Sequence, residues 1–241
     1  MRPFGQTAGA AAIVVGGLTP LSTTDWPGRL AATVFCQGCA WDCPYCHNAG
    51  LRAFGAGERF WAEVLALLET RRGLLEAVVF SGGEPLLQPG LAEAMHEVRD
   101  LGFKVGLHTS GMAPEALARV LPLTDWIGLD VKAPRTAYGR ITGVAASADA
   151  AWESLDLVRK SGVAFELRTT WHLALLSEAE LLELAGELSV LGGVEWVLQG
   201  FQPEGCEDSA LLASGRAHVP GKLEESLRAE LGPGAELTVR N

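Results

Sequence analysis

The sequence predicts an α/β fold, a partial (β/α)6 barrel of the TIM type that is open on one side. Three observations predict it. Short apolar runs alternate with helical stretches six times in succession, the signature of parallel strands joined by right-handed crossovers. At 241 residues the chain is a little short for eight such units plus a leading segment. Its hydrophobic fraction of 48% supports a full core. An open flavodoxin-like or Rossmann sheet is the alternative arrangement of the same units.

The elements follow in order. Ala31–Phe35 is the first predicted strand, and Arg59–Arg72 the first helix, because Trp61, Val64, Leu65 and Leu68 share one face. Ala77–Phe80 reads as a buried strand, and Leu91, Met95 and Val98 mark the next helix. Lys104–His108 is the third strand, and Pro114 suits the first turn of a short helix running to Val120. Trp126–Val131 is the fourth strand. Trp152, Leu155 and Val158 define a helix over Ala151–Lys160, and Phe165–Thr169 is the fifth strand. Ser177 and Glu180 have capping-box spacing and open a helix that buries Leu181, Leu184 and Leu188. Val194–Leu198 is the sixth strand, followed by a helix around Leu223–Leu231 and a strand around Leu237–Arg240. The glycines near Gly55–Gly57 and Gly232–Gly234 read as turns. No linker or repeat divides the chain, so residues 1–241 are expected to form one domain, with a core over about 16–202 and a C-terminal helix and strand extension over 203–241.

The formal net charge of −10 repels phosphate backbones and argues against nucleic acid as a partner. No apolar run reaches the roughly 20 residues that span a bilayer, and Ala8–Val15 lacks the basic lead and length of a secretion signal. A cytoplasmic protein with no membrane partner is expected.

Four of the five cysteines fall between Cys36 and Cys46. In a reducing compartment such clustering points to metal or redox chemistry. Cys39-Ala40-Trp41-Asp42-Cys43-Pro44-Tyr45-Cys46 lies just past the first strand. Three thiolates there can hold three irons of a [4Fe–4S] cubane and leave the fourth open to a small molecule. A zinc knot using Cys36 is the competing arrangement, but paired C-x-x-C units of that kind usually sit on two separate loops. Cys36 is expected near the end of the strand, as a small buried hydrophobe, and the isolated Cys206 as a small loop residue.

Further signals follow the later strands. Ser81-Gly82-Gly83-Glu84-Pro85 allows close approach of the backbone to a ligand. His108-Thr109-Ser110-Gly111 follows the third strand. Alternation puts Asp130 and Lys132 on one face, where they could clamp a zwitterion or form a plain salt bridge. Arg168 sits near the end of the fifth strand, and Gln199 to Gln202 follow the sixth, with Phe201 expected in the core. All fall at C-terminal strand ends, the face on which barrel enzymes build active sites.

The Cys39, Cys43, Cys46 spacing resembles the signature of the radical S-adenosylmethionine enzymes. Thr24-Asp25-Trp26-Pro27-Gly28, through Gln37-Gly38-Cys39 to Cys46-His47-Asn48, resembles the glycyl-radical activating enzymes, most of all the activating proteins of anaerobic ribonucleoside-triphosphate reductase. The resemblance covers about Gly16 through Gln202. It implies an oxidoreductase with a [4Fe–4S] cluster on the three thiols and S-adenosylmethionine as second cofactor. It implies cofactor contacts from Tyr45, the aromatic of the motif, from Gly82, Gly83 and Glu84 near the methionyl amino group, from Asp130 and Lys132 near its carboxylate, and from Arg168. His108 stands where related enzymes carry Asp, so no cation site is carried over. The partners implied are a glycyl-radical protein and a low-potential electron donor such as flavodoxin or ferredoxin. Other readings are an enzyme of the pyruvate formate-lyase activating type, one acting on a small molecule in the manner of 7-carboxy-7-deazaguanine synthase, and a non-catalytic iron–sulfur or zinc module.

Overall fold

A computed structural model describes residues 9–241. It contains one sheet of eight strands: β1 (Val15–Ser22), β2 (Ala31–Cys36), β3 (Ala77–Gly82), β4 (Lys104–Thr109), β5 (Trp126–Asp130), β6 (Ala164–Trp171), β7 (Glu195–Gly200) and β8 (Glu236–Arg240). Their order in the sheet is their order in the chain. β1 pairs antiparallel with β2, and every later pair is parallel. A doubly wound sheet reverses strand order at a switch point. This sheet never reverses, so the crossovers stay on one side, and the result is the partial barrel, open between β1 and β8.

One strand, β1, adds to the six of the repeated units and the expected final strand around Leu237–Arg240, which is β8. β1 carries Gly16, Gly17 and Pro20, which hide a strand from any pattern of apolar residues. β8 pairs with β7, so the C-terminal helix and strand continue the barrel. The apolar stretch Ala8–Val15 begins on a residue outside the described ones, and its later part forms a short 3-10 turn and enters β1.

The helices are α1 (Trp61–Glu69), α2 (Leu91–Asp100), α3 (Pro114–Val120), α4 (Arg135–Thr142), α5 (Ser147–Ser161), α6 (Glu178–Ser189), α7 (Ser209–Ser214) and α8 (Gly221–Leu231). α1 is shorter than the expected Arg59–Arg72 and stops at Thr70, whose hydroxyl donates to the Leu67 carbonyl at 2.7 Å. α4 and α7 are additional to the expected helices. The capping box of α6 forms as read: Glu180 N donates to Ser177 Oγ at 3.2 Å, and Ser177 N donates to Glu180 Oε2 at 2.8 Å. Among the described residues, no helix is long and apolar enough to cross a membrane.

The two faces of the sheet are filled differently. Ala32, Val34, Phe80, Leu107, Ile127, Leu167 and Leu198 are wholly buried in the large core that includes the helices. The other face holds a small separate cluster of Ala31, Ala77, Val79, Trp26 and Trp126. The two indoles stack with centroids 5.4 Å apart and plug the barrel interior toward the N-terminal strand ends. Trp26 is therefore a packing residue.

Candidate active site

A cavity of about 250 Å³ opens at the C-terminal ends of the strands. From the loop after β2 come Cys39, Trp41, Cys43, Tyr45 and Cys46. That loop is tied down mainly by backbone. Cys39 N donates to the Arg52 carbonyl at 2.9 Å, Asp42 N to the Thr142 carbonyl at 2.9 Å, and Cys46 N to the Cys43 carbonyl at 3.2 Å. Asn48 Nδ2 donates to the Gly82 carbonyl at 3.2 Å. The segment after β7 closes over it, with His47 Nδ1 3.2 Å from the Glu204 carbonyl and Cys206 Sγ donating to the Pro44 carbonyl at 3.3 Å. A Cβ on Gly205 would stand 1.9 Å from the His47 carbonyl oxygen, so only glycine permits this closure.

Cys36 is separate from this set. It is the last residue of β2, is fully buried, and shares its face with Ala32 and Val34 in the large core. Alternation along the strand turns it to the helices, away from the cavity. Burial pushes the Cys39 thiol up to about 11 and raises Cys43 as well. Iron binds the thiolate form, so ligation releases these protons. Among the described residues, no three His, Cys, Asp or Glu side chains gather on a single-ion site. Three thiols around one cavity, with the fourth facing elsewhere, are the donor set of a [4Fe–4S] cluster with one open iron.

Gly82 and Gly83 also line the cavity. A Cβ on Gly82 would lie 2.4 Å from Cys36 N, and one on Gly83 would lie 2.3 Å from the Gly38 carbonyl oxygen. What excludes a side chain here is the neighbouring backbone of the cysteine loop. Glu84, expected beside the ligand, lies under the floor and is not part of the wall. It is 1% exposed. Its Oε1 accepts from Thr109 Oγ1 at 2.6 Å and Leu86 N at 3.1 Å, and its Oε2 accepts from Ser110 N at 2.9 Å and Ser110 Oγ at 2.5 Å. Burial raises its pKa, and these hydrogen bonds oppose that rise.

Asp130 ends β5, and Lys132 follows two residues on. Both line the cavity, and Lys132 Nζ also lies 5.7 Å from the centre of the Tyr45 ring. Tyr138, on α4, braces the turn between them: Lys132 N donates to its hydroxyl at 3.3 Å, and that hydroxyl donates to the Asp130 carbonyl at 3.3 Å. Burial keeps both tyrosine hydroxyls protonated.

His108 and Arg168 form the wall opposite. His108 Nε2 lies 2.6 Å from the Asp25 carbonyl oxygen, which can only accept, and 3.0 Å from Arg168 Nη1, which can only donate; we place the ring proton on Nε2 to meet the shorter contact, so Arg168 Nη1 gains no hydrogen bond there. Nδ1 then accepts from Ser81 Oγ at 3.3 Å. Burial first, and the nearby Arg168 guanidinium second, push the imidazole down to about 3. Arg168 Nε donates to Glu166 Oε1 at 2.6 Å, and its guanidinium lies 5.2 Å from the Trp126 ring centre. Gln199 reaches the cavity, whereas Phe201 is fully buried and Gln202 lines a different hollow. Sequence reasoning missed Tyr138 and Glu166. Neither carries a local motif; each acquires its place through a partner on another element.

The Radical SAM superfamily profile matches residues 33–188. Across 95% of its length the chain is 27% identical to a candidate glycyl-radical enzyme activating enzyme of Methanocaldococcus jannaschii, covering 94% of that protein. It is 32% identical to the pyruvate formate-lyase-activating enzyme of Clostridium pasteurianum over 54% of this chain and 57% of the relative. The fold is similar to that of a radical SAM methyltransferase from Sphaerobacter thermophilus, with a TM-score of 0.62 at 21% identity, over 89% of this chain and 67% of that one. The chain therefore belongs to the Radical SAM superfamily, and the superfamily's cofactors, a [4Fe–4S] cluster and S-adenosylmethionine, are its own.

Proposed function

We propose that this chain uses its cofactors to generate a glycyl radical on a partner protein, and that the partner is an anaerobic ribonucleoside-triphosphate reductase. The observation that carries the general reading is the whole-length similarity to a glycyl-radical activating relative, in a barrel whose side stands open to a protein loop. The finer reading rests on the resemblance of Thr24–Gly28 and Gln37–Asn48 to that group of activating proteins.

Each residue then has a task. Cys39, Cys43 and Cys46 hold the cluster. When bound, cluster and adenosylmethionine together supply a carbon-centred radical that removes a hydrogen atom from the substrate. Lys132 holds the methionyl carboxylate, and Asp130, which accepts from Lys132 Nζ, fixes the orientation of that amine. The backbone at Gly82 and Gly83 meets the methionyl amino group. Glu84 acts beneath them by locking the β3 and β4 loops together. Tyr45 and Trp41 exclude water from the cluster side, and Arg168 and His108 bound the nucleoside side. A low-potential donor such as flavodoxin or ferredoxin supplies the electron.

Electron paramagnetic resonance tests the reading. Reduced, cluster-loaded protein mixed with adenosylmethionine and the reductase should produce a protein-borne glycyl radical. A radical on a pyruvate formate-lyase type enzyme but on no reductase would keep the activity and replace the partner. Turnover of a small molecule with no radical on any protein would replace both.

A further inference from the structure

A second cavity, of about 510 Å³, lies against the first and shares Arg168 and Gln199 with it. Its remaining walls come from opposite ends of the sheet. Thr24 and Asp25 lie between β1 and β2, Gln202 and Arg216 follow β7, Arg240 ends β8, and Asn241 comes next. The cavity thus occupies the seam where the barrel fails to close, beside the place where the first cavity would be reached from the side.

Three arginines meet there, in a chain with a formal net charge of −10. Strand register brings two of them together. Arg168 pairs with Val197, and Gln199, two residues on, pairs with Arg240, so alternation turns Arg168, Gln199 and Arg240 to the interior. Two of the arginines share a single carboxylate. Glu166, buried one layer below, accepts from Arg168 Nε and stands 3.6 Å from Arg240 Nη2, so one carboxylate serves two guanidiniums. Arg216 Nη2 donates to Glu204 Oε1 at 3.1 Å on the exposed rim. Asp25, the one acidic side chain of the wall, accepts from Thr33 Oγ1 at 2.6 Å. Two side-chain atoms of this wall remain buried with no partner: Arg168 Nη2, a donor that an oxyanion would complete, and Gln202 Oε1, an acceptor that calls for a donor group beside the anion. Buried polar groups are rarely left so unless something else completes them.

We propose that the seam is an anion subsite: Arg168, Arg216 and Arg240 take an oxyanion carried by the substrate, a carboxylate or a phosphate. Guanidinium forks match both groups in two-point contacts. Resting on the radical-transfer reading above, the site selects substrates with a negative group a short reach from the carbon that gives up its hydrogen atom. Because Arg168 belongs to both cavities, an anion seated in the seam also bears on the wall of the first.

Calorimetric titration of the full-length, cluster-loaded protein tests this without any reductase, so its outcome is independent of whether a glycyl radical forms. Inorganic phosphate is one probe, and acetyl-Gly-Glu-amide, with acetyl-Gly-Gln-amide as its neutral control, is the other. Saturable binding of phosphate or of the glutamyl peptide is expected, and the tighter of the two identifies the natural source of the anion. The combined Arg216→Gln and Arg240→Gln variant should weaken that binding by roughly tenfold or more, and Arg240→Lys alone should weaken it less. Neither residue lines the first cavity, so adenosylmethionine cleavage in the absence of substrate should stay at the wild-type rate. Absence of saturable binding by both probes, or binding that the double variant leaves unchanged, overturns the proposal.

Discussion

Lys132 Nζ stands 3.0 Å from Asp130 Oδ2, yet the lysine side chain is 11% exposed and the aspartate 42%. The cation is the buried member of the pair. Burial alone would lower its pKa; the facing Asp130 carboxylate outweighs this and holds the amine well above its ordinary value. The amine therefore stays charged at neutral pH and can meet a carboxylate. Lys132→Met should weaken adenosylmethionine binding by roughly tenfold or more. Iron and sulfide content should stay at the wild-type level. Unchanged binding would remove Lys132 from the cofactor site.

The cysteines divide by face. Cys39→Ala, Cys43→Ala and Cys46→Ala should each lose the intact cluster and with it 5′-deoxyadenosine formation. Cys36→Ala removes only a small group from the helix-side core, so cluster content and most cleavage should survive, at a cost of about 1 kcal/mol in stability. Iron and sulfide analysis of the four variants decides this. A Cys36 variant that folds but lacks a cubane would restore four-thiolate ligation.

Glu84 offers a test of architecture separate from chemistry. Four donors from three residues converge on its carboxylate. Glu84→Gln turns an amide NH2 toward donors that need an acceptor, and should cost about 3 kcal/mol. Urea unfolding of the cluster-free protein would show the loss. A variant that unfolds at the wild-type midpoint but binds adenosylmethionine poorly would instead make Glu84 a ligand contact.

His108 makes stability depend on acid. Its ordinary pKa of 6.5 falls to about 3 in the fold. Above 6.5 the ring is neutral in both folded and unfolded chains and adds no slope. Between 6.5 and about 3 the unfolded chain takes up a proton that the folded one refuses, so stability falls with pH. His108→Gln should flatten that part of the curve relative to wild type and leave the neutral side parallel. Identical slopes in urea midpoints from about pH 7 to about pH 4 would show that the ring is already charged in the fold.

Much of the fold was legible because parallel strands covered on both sides read as apolar runs, unbroken in Ala77–Phe80 and interrupted only by Glu195 in Val194–Leu198. β1 was not, because Gly16, Gly17 and Pro20 carry no such pattern. α4 was hidden for another reason: its eight residues, just after Pro134, are too few to show a period. Within the site, the thiols, the paired glycines and Asp130 with Lys132 could be found by local spacing. Glu166 and Arg240 could not, since their positions depend on which residue of β7 lies opposite which residue of β6 and β8. Glu84 was placed near the ligand by its neighbours in sequence; the Thr109 and Ser110 donors that fix it come from the end of a different strand.

An unclosed sheet leaves two strand edges with free hydrogen-bonding groups, the usual template for unwanted pairing between copies. Here both edges are poor templates. β1 contains Pro20, which has no N–H to offer, and its pairing with β2 slips register between Thr19 and Ser22. β8 is only five residues long and begins and ends on charged side chains, Glu236 and Arg240. Such edges resist the addition of another strand from a second copy. The gap can thus stay available to an incoming substrate segment without making the protein prone to self-association.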